Sequence, residues 1–405
     1  MPASSTGVLD SFARTTDEIV TLEEFKAKLA LDRPLRIKYG VDVTAPLLHI
    51  GHGVNLWMMR EMQDSGHKVV LLIGDFTTRV GDPTGRSQTR PVIPHHEIEA
   101  NAEAFIDQVS RILSTDSEVF EVRRNSEWWE TMSLDEFLSL LSIVTHGRLI
   151  SRDMFQRRIE EGAEIHMHEL VYPVLQGYDS YALESDLTIV GTDQLFNEMM
   201  GRLYQSRLGQ SPQVVITTRI TPGIDGGEKQ AKSVGNFISL AHSPREMFGR
   251  TMSIPDSLIV PYLEVYTSVP LEVVREAERG LEAGTTHPME AKRFLGREIV
   301  SRYYGEDAAA AEDEWFTSTF SRREEPADAP VVAVIPGTTL FDVLVANLEG
   351  TSRNEIRRLL AAGSVSVDGE KVLDGDTLVA DGVLVRVGKR RWLRLVHKGE
   401  PKGED

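Results

Sequence analysis

Two apolar runs separated by one amphipathic segment constrain the fold of this chain more than any other feature. Residues 35–42 (LRIKYGVD) and 68–75 (KVVLLIGD) are typical of buried strands, and the segment between them is typical of a helix that ends at Gly66. Strands joined by a helical crossover are parallel, and open parallel sheets bind ligands beyond the carboxyl ends of their strands. The sequence therefore predicts an α/β fold with a binding cleft at that edge of the sheet.

Two histidines stand at the start of the predicted helix. His49 and His52 flank Gly51 in the stretch LHIGHG, although Ser, Thr, Asp and Asn are the usual residues at a helix start. Three interpretations are open: a structural pair satisfied by the backbone, a metal pair, or a pair that binds phosphate beside the free N–H groups of the first turn. The chain has no cysteine and offers no third ligand at a conventional spacing, which counts against a metal.

Composition narrows the class of protein further. A chain of 405 residues with 41% hydrophobic residues is long enough for two or three domains. No apolar run approaches 18 residues and there is no cysteine, so we expect a soluble protein of the reducing cytoplasm. The net charge of −18 argues against a nucleic-acid partner, but residues 337–405 carry 11 basic and 11 acidic residues, which indicates a separate, neutral module.

Apolar periodicity divides the chain into segments. Residues 95–170 have the spacing of helices inserted into the sheet, which resumes with strands in residues 186–196 and 212–220. A polar, proline-containing stretch without periodicity indicates a linker before the neutral module. The predicted divisions are a Rossmann-like parallel-sheet domain over residues 1–240 with a helical insertion at about 95–170, an α-helical domain over 241–325, a linker over 326–336, and a small α+β domain over 337–405.

Two glycine-rich loops carry polar residues that suit a phosphorylated ligand. The first loop spans residues 74–90 and the second spans residues 226–236. Glycines let backbone amides approach a ligand closely, and cations on such a loop can stabilise negative charge on a leaving group. An ordinary polar turn and a charged surface loop are the alternatives. The candidate residues of the two loops are Asp82, Arg86 and Arg90, and Lys229, Lys232 and Ser233.

Two helical segments place polar side chains on one face. Tyr172, Gln176 and Asp179 recur at i, i+4 and i+7, which predicts a pocket for a small ligand with polar and aromatic groups. In the last module, a short helix capped by Thr351 or Ser352 and the nearby stretch GKRRW carry a basic set that either binds the phosphates of structured RNA or is simply solvated. The members of this set are Arg353, Arg357, Arg358, Lys389, Arg390 and Arg391.

Taken in order, these motifs resemble those of a known family. The stretches HIGH at 49–52, GTDQ at 191–194 and KQAKS at 229–233 resemble the signatures of class I aminoacyl-tRNA synthetases. The polar stripe at 172–179, with Asp82, resembles the tyrosine pocket of bacterial tyrosyl-tRNA synthetases, and the last module resembles the S4-type RNA-binding domain that these enzymes carry. The match runs through nearly the whole chain.

The resemblance implies roles for individual residues. Those implied in catalysis are Thr44, His49, His52, Lys229, Lys232 and Arg86, with Arg90 as an alternative to Arg86. Those implied in ATP binding are Gly40, Asp42, His49, Gly51, His52, Asp193, Lys232 and Ser233. Those implied in tyrosine binding are Asp82, Tyr172, Gln176, Asp179 and Gln194, with Asp179 accepting a hydrogen bond from the phenol and Tyr172, Gln176 and Asp82 receiving the ammonium group.

The resemblance also implies an activity and partners. The expected reaction is ATP-dependent activation of L-tyrosine followed by transfer to the 3′ end of tRNA(Tyr), with Mg²⁺ on the ATP phosphates and no membrane partner. A homodimer is expected, with the inserted helices around residues 125–165 at its interface. No editing domain is expected, because a site that hydrogen-bonds a hydroxyl rejects the analogue that lacks it, and tyrosine against phenylalanine in this enzyme class is the standard example.

Four positions depart from the family pattern. Gln230 and Ala231 replace Met-Ser within Lys-Met-Ser-Lys-Ser, Val43 stands where proline is frequent, and Lys38 stands where many bacterial members place a tyrosine against the phenol. Two other functions therefore stay open. One is a relative that activates a tyrosine analogue or transfers it to an acceptor other than tRNA, and the other is a noncatalytic S4-type RNA-binding protein.

Overall fold

The computed structural model shows two compact units, divided between Asp313 and Glu314. The first unit contains the sheet predicted around residues 35–75, and the second contains the smaller C-terminal sheet. Among the described residues, no helix is both long and apolar enough to cross a membrane. The described residues are 5–83, 93–227, 229–230, 234–321, 329–348, 351–388 and 391–397.

Six strands form the sheet of the first unit, in the order β1-β6-β5-β2-β3-β4. All neighbours are parallel except β1, which runs antiparallel to β6. The chain leaves β2 towards β3 on one side and returns to β5 on the other, so the β2/β5 boundary is the point where ligands bind in such sheets. The strands are β1 (Thr16–Val20), β2 (Arg36–Val41), β3 (Lys68–Ile73), β4 (Phe120–Arg124), β5 (Leu187–Gly191) and β6 (Val214–Thr218).

Helices precede, connect and follow these strands. Both α3 and α10 contribute side chains to the cleft, and α10 packs on α11. The helices are α1 (Ser5–Phe12), α2 (Leu22–Leu29), α3 (Ile50–Asp64), α4 (Asp75–Val80), α5 (His95–Ser110), α6 (Ser126–Trp129), α7 (Leu134–Ser142), α8 (His146–Ile150), α9 (Asp153–Glu160), α10 (Met167–Ala182), α11 (Leu195–Arg207), α12 (Pro244–Met252), α13 (Ile259–Tyr266), α14 (Leu271–Glu282), α15 (Pro288–Tyr304) and α16 (Glu306–Phe316).

Local sequence explains how α3 and α10 are placed. Gly66 takes a φ of 87°, which only glycine adopts without strain, and this turns the chain from α3 into β3. On α10, Gly177 lies so close to α11 that a Cβ there would come within 2.9 Å of Met200 Cβ. The missing side chain therefore allows the two helices to pack tightly, and this brings their polar faces together at the cleft.

The second unit is a five-stranded sheet with two helices against it. The strand order is β7-β11-β10-β8-β9, with β7 and β11 parallel and the other pairs antiparallel. Leu340, Leu344 and Ile356 from the helices form a buried core with Val385 and Leu395 from the sheet. The elements are β7 (Val331–Val334), α17 (Leu340–Asn347), α18 (Arg353–Ala361), β8 (Val365–Val367), β9 (Glu370–Lys371), β10 (Leu384–Val387) and β11 (Arg391–His397).

The α/β fold class is confirmed, with three differences in detail. Strand β4 lies inside residues 95–170, where only helices were expected, and pairs with β3 in the sheet. Strand β1 was not predicted at all. Strand β7 occupies part of residues 326–336, which were expected to be a linker without structure. All three strands lie at the edge of a sheet, where one side is open to solvent and a strand needs no continuous apolar run.

Candidate active site

A cleft with a cavity volume of about 380 Å³ opens at the carboxyl ends of β2 and β5. Its position agrees with the expectation for a sheet whose strand order reverses at these strands. The predicted site residues that the structure brings together around this one cleft are Gly40, Asp42, Thr44, His49, Gly51, His52, Asp82, Tyr172, Gln176, Asp179, Asp193, Gln194 and Lys229.

His49 and His52 cap the start of α3 and face each other in the cleft. The His49 Nδ1 atom accepts a hydrogen bond from the Gly51 amide at 3.1 Å, and the His52 Nδ1 atom accepts one from the His49 amide at 3.3 Å. The ring centroids are 3.9 Å apart. Because Nδ1 of each ring is an acceptor, a neutral ring carries its proton on Nε2. Each histidine is thus oriented by the backbone, with Nε2 as its donor.

Asp179 occupies the deep end of the cleft and accepts three hydrogen bonds. Trp128 Nε1 and Trp129 Nε1 each donate to Oδ1 at 2.9 Å, and Asn125 Nδ2 donates to Oδ2 at 3.2 Å. Burial raises the pKa of Asp179 to about 7, although Lys38 and these donors act in the opposite direction. The result is a carboxylate that can accept a further hydrogen bond from a buried hydroxyl.

None of these three donors was among the site residues predicted from the sequence. Asn125, Trp128 and Trp129 lie in the stretch NSEWWE, directly after β4, and reach Asp179 from about 50 positions away in the chain. The paired tryptophans were the available signal, because a buried indole N–H needs an acceptor. Without β4 in the prediction, nothing indicated that the two tryptophans lie next to the sheet.

The middle of the cleft contains two hydrogen-bonded carboxylates. Tyr172 Oη donates to Asp42 Oδ2 at 2.9 Å, and Gln194 Nε2 donates to Asp82 Oδ2 at 2.9 Å. Burial, and then the charges of Asp42 and Asp82, raise the pKa of Tyr172 well above its usual value, so the phenol stays protonated. The resemblance implies that Asp42 binds ATP and that Tyr172 binds the substrate tyrosine, and the two side chains are hydrogen-bonded to each other.

Buried Arg152 is a further cation near these carboxylates that the sequence did not single out. Its Nη2 atom donates to the Asp193 carbonyl oxygen at 3.5 Å. Burial lowers the pKa of Arg152, while Asp82, Asp193 and Tyr172 act in the opposite direction. The arginine precedes α9, within the inserted segment, where a lone arginine between helices gave no reason to expect a residue close to Asp82 and Asp193.

Lys38 does not extend freely into the cleft. Its ammonium group is 2.8 Å from Ser180 Oγ and 2.8 Å from Glu198 Oε2, and both charged side chains are almost completely buried. Lys38 thus pairs with a carboxylate on α11 rather than standing alone beside the deep end of the cleft. Glu198 was not among the predicted site residues.

The described part of the lysine loop lies against the cleft. Lys229 Nζ is 2.9 Å from Asp193 Oδ2, so the residue assigned to phosphate pairs with the residue assigned to the ribose. Gln230, one of the departures from the family pattern, is buried and donates to Tyr266 Oη on α13 at 2.8 Å. The glutamine therefore fastens the start of this loop to a helix of the predicted α-helical domain. Lys232 and Ser233 of this loop lie outside the described residues, as do Arg86 and Arg90 of the first glycine-rich loop.

In the second unit, the predicted basic residues that the structure describes make three kinds of contact. The guanidinium groups of Arg353 and Arg357 lie over the Phe341 ring, 5.5 and 5.1 Å from its centroid. Arg358 pairs instead with Glu355, at 2.7 Å. Arg391 Nη1 donates to Thr351 Oγ1 beside the start of α18, which brings β11 and α18 together. Lys389 and Arg390 lie outside the described residues.

Comparisons with known proteins identify the family of the chain. The model of the family described as tRNA synthetases class I (W and Y) matches residues 30–321. The chain belongs to this family. Two curated relatives named tyrosine–tRNA ligase are similar over almost their whole length: that of Moorella thermoacetica is 42% identical over 94% of each chain, and that of Symbiobacterium thermophilum is 44% identical over 94% of this chain and 95% of the relative.

Solved structures show the same fold for this synthetase. A C-terminally truncated mitochondrial tyrosyl-tRNA synthetase of Aspergillus nidulans superposes with a TM-score of 0.63, at 22% identity, over 78% of this chain and 94% of the other. The tyrosyl-tRNA synthetase of Archaeoglobus fulgidus, solved with L-tyrosine, superposes with a TM-score of 0.59, at 21% identity, over 76% and 100% of the two chains. At this identity the likeness concerns the fold.

Proposed function

We propose that this class I synthetase is an ATP-dependent tyrosine–tRNA ligase, which activates L-tyrosine to tyrosyl-adenylate and transfers the tyrosyl group to the 3′ end of tRNA(Tyr). The observation that carries the proposal is Asp179, a buried carboxylate at the closed end of the cleft with three donors already in place. A phenol hydroxyl is a donor that suits this acceptor, and a phenylalanine ring would leave the remaining acceptor position of the carboxylate desolvated and unfilled. The names of the full-length relatives support the same substrate.

The other end of the cleft suits the remaining groups of the reaction. Tyr172, Gln176 and Asp82 would receive the ammonium group of tyrosine, with Gln194 near its carboxylate, and Asp193 would bind the ribose of ATP. Gly40, Asp42 and Gly51 line the cleft where the adenosine would pass, and Thr44 lies near the start of α3 with the histidines. The substrate carboxylate attacks the α-phosphorus, the bond to pyrophosphate breaks, and pyrophosphate leaves with the electron pair.

The protein contributes orientation and positive charge to this step rather than a nucleophile. The Nε2–H donors of His49 and His52 lie at the start of α3, where the helix dipole also favours negative charge. Lys229, Lys232, Ser233 and Arg86 would stabilise the charge that develops on the leaving pyrophosphate. Only the first of these four lies within the described residues, where its ammonium group is at the mouth of the cleft.

Mg²⁺ would bind mainly through the ATP phosphates. Among the described residues, no group of three or more histidine, aspartate or glutamate side chains is arranged to hold a metal ion. The cleft carboxylates Asp42 and Asp82 already accept hydrogen bonds from Tyr172 and Gln194. The donor set therefore fits a cation that arrives with its nucleotide and is shared with phosphate oxygens, where it would reduce the negative charge on the leaving group.

Two surfaces suit the macromolecular partners. In the second unit, Arg353, Arg357 and Arg391 would contact tRNA phosphates, with Lys389, Arg390 and Arg358 beside them in sequence. In the first unit, Leu134 and Leu138 on α7 and Met167 on α10 are large apolar side chains exposed to solvent, which supports a homodimer that uses the segment around residues 125–165. These substrates belong to protein synthesis in the cytoplasm, where we expect the protein to work.

Amino-acid-dependent exchange of pyrophosphate into ATP tests the proposal. Each proteinogenic amino acid and several ring-substituted tyrosines would be offered to the full-length protein, and the same preparations would then be assayed for transfer to tRNA. Exchange with tyrosine alone, followed by charging of tRNA(Tyr), is the expected result. Exchange only with a substituted tyrosine would replace the proposed substrate, and no exchange with any amino acid would refute the ligase.

A further inference from the structure

A buried hydrogen-bond network runs along one wall of the cleft, behind the residues proposed to bind tyrosine. Glu198 lies at its centre, on α11, and is 2% exposed. Its Oε1 atom accepts a hydrogen bond from Gln176 Nε2 at 2.8 Å, and its Oε2 atom accepts one from Gln213 Nε2 at 2.8 Å. Lys38 Nζ contacts both oxygens, at 3.1 and 2.8 Å. Glu198 thus joins the strand residue Lys38 to a residue of the ligand pocket.

The carboxylate of Glu198 determines which way the Gln176 amide faces. A carboxylate can only accept hydrogen bonds, so Gln176 must direct its NH₂ group towards Glu198 and its carbonyl oxygen away from it. On that other side, Asn197 Nδ2 donates to Gln176 Oε1 at 2.8 Å, in agreement with this orientation. The two ends of a glutamine amide have almost the same shape, so without a defined partner the group could turn over.

The orientation matters because the proposed ligand group is an ammonium. An ammonium has donors only, and it can bind Gln176 through the carbonyl oxygen but not through the NH₂ group. Lys38 supplies the countercharge for Glu198, at 2.8 Å, and a buried carboxylate is stable inside a protein only when it is paired and hydrogen-bonded. The Lys38–Glu198 pair therefore acts on the ligand through the amide that it orients.

We infer that Glu198, with Lys38 as its counterion, is a positioning residue that orients the Gln176 amide for recognition of the substrate ammonium group. The inference rests on the proposed function, since it concerns the binding of tyrosine by the same cleft. It also assigns a role to Lys38 that differs from a direct contact with a ring substituent. Neither residue needs to touch the substrate for this role.

The variant Glu198→Gln tests the inference because its amide has a defined orientation too. Oε2 accepts from Gln213 and is the oxygen nearer to Lys38, at 2.8 Å against 3.1 Å for Oε1, so the new carbonyl oxygen is expected at the Oε2 position and the new NH₂ group at the Oε1 position, facing Gln176. Gln176 then turns over to accept from it, and Asn197 turns over with it, because its buried Oδ1 atom, which has no hydrogen-bond partner in the structure, can accept from the new position of the Gln176 NH₂ group. The Gln176 NH₂ group would then face the ammonium, which converts an attractive contact into a repulsive one.

Two fragments of tyrosine separate this effect from a general loss of the pocket. Tyramine keeps the phenol and the ammonium but lacks the carboxylate, and 3-(4-hydroxyphenyl)propionate keeps the phenol and the carboxylate but lacks the ammonium. Their dissociation constants would be measured as inhibition constants in tyrosine-dependent pyrophosphate exchange and directly by calorimetry. In Glu198→Gln we expect tyramine to bind about tenfold or more weakly, and 3-(4-hydroxyphenyl)propionate to bind within about twofold of the unmodified protein.

The matched control is Tyr204→Phe, on the same helix. Tyr204 is buried, and its hydroxyl donates to the Leu140 carbonyl oxygen at 2.9 Å, which is not part of the network around Glu198. This substitution should lower the thermal unfolding midpoint and leave the ratio of the two dissociation constants unchanged. If Glu198→Gln does not fold, Lys38→Met provides the second test, because removing the countercharge should weaken tyramine binding selectively in the same way.

The outcomes distinguish the inference from the function on which it rests. Equal weakening of both fragments in Glu198→Gln or in Lys38→Met, or no weakening of either, would overturn the positioning role while tyrosine-dependent exchange by the unmodified protein still supported the ligase. An unmodified protein that binds neither tyrosine nor tyramine would overturn the proposed function and the positioning role together. Selective loss of tyramine binding would establish that the amide orientation is the property affected.

Discussion

Replacement of Asp179 by asparagine is expected to stabilise the ligand-free protein and to weaken its activation of tyrosine. Burial raises the pKa of Asp179 to about 7, while Lys38, Trp129, Trp128 and Asn125 lower it by smaller amounts. Above that pH the folded protein holds a charged group in a place that favours the neutral form. Asparagine has nearly the same shape and no charge, so it removes this cost.

The size of the effect follows from the difference between the folded and unfolded states. An aspartate in the unfolded chain ionises near 3.8, so a folded-state pKa of about 7 corresponds to about 4 kcal/mol of unfolding free energy. Because the folded-state pKa is the higher one, the cost is absent below the unfolded pKa, grows as the pH rises, and is complete above pH 7. The value is an upper limit, since asparagine also changes the hydrogen bonds.

Urea unfolding of both proteins at pH 5 and pH 8 measures this difference. The stability gained by Asp179→Asn should be larger at pH 8 than at pH 5. Asp186→Asn is the control with the opposite sign: burial raises the pKa of Asp186, but hydrogen bonds from Arg33 and the Arg36 amide, together with Lys28, outweigh burial and lower it. That variant should lose stability at neutral pH, and lose less as the pH falls.

The Asp179→Asn protein should be less active on tyrosine although it is more stable. A hydrogen bond to a charged group contributes about 1.5–3 kcal/mol, so the KM for tyrosine in pyrophosphate exchange should rise by about 10- to 150-fold. The KM for ATP should change little, because Asp179 lies at the other end of the cleft. An Asp179→Asn protein that gains no stability at pH 8, or gains equally at both pH values, would refute the account of this carboxylate.

Two further substitutions test other parts of the fold and the site. His49→Ala should lower the exchange rate by about 10²–10³-fold with little change in the KM for tyrosine, because it removes a donor for the phosphates, and a change confined to KM would contradict that role. Gly53→Ala should lower the unfolding free energy by about 1–3 kcal/mol, because its new Cβ would overlap Tyr303 Oη on α15. Adding Tyr303→Phe should restore part of this stability in thermal unfolding. If it restores none, the overlap with Tyr303 is not the cause.

Those parts of the fold that have a local signal could be predicted from the sequence. Strands β2, β3, β5 and β6 are apolar runs bounded by turn residues, and the glycine after α3 marks its end. The helix stripe formed by Tyr172, Gln176 and Asp179 was also visible, because side chains at i, i+4 and i+7 share a face on any helix. The structure places all three at the cleft.

Other parts depend on contacts between distant positions and left no local pattern. Strand β4 (FEVRR) is half polar, because as an edge strand it meets solvent on one side, and its absence from the prediction concealed Trp128 and Trp129. Glu198 lies within a helix whose sequence is otherwise ordinary, and only the fold shows that Lys38 is opposite it. A buried charge is recognisable in a sequence only when its partner is known.

ATP would have to displace the ion pair between Lys229 and Asp193 in order to bind at Asp193. Lys229 is an internal competitor for the carboxylate that we assign to the ribose, so the nucleotide would replace one partner of Asp193 with another. Both side chains are partly exposed, and such pairs contribute at most about 1 kcal/mol, so the competition is weak. Lys229 is nevertheless held beside the cleft before the nucleotide arrives, so it would lose less conformational entropy on binding the phosphates.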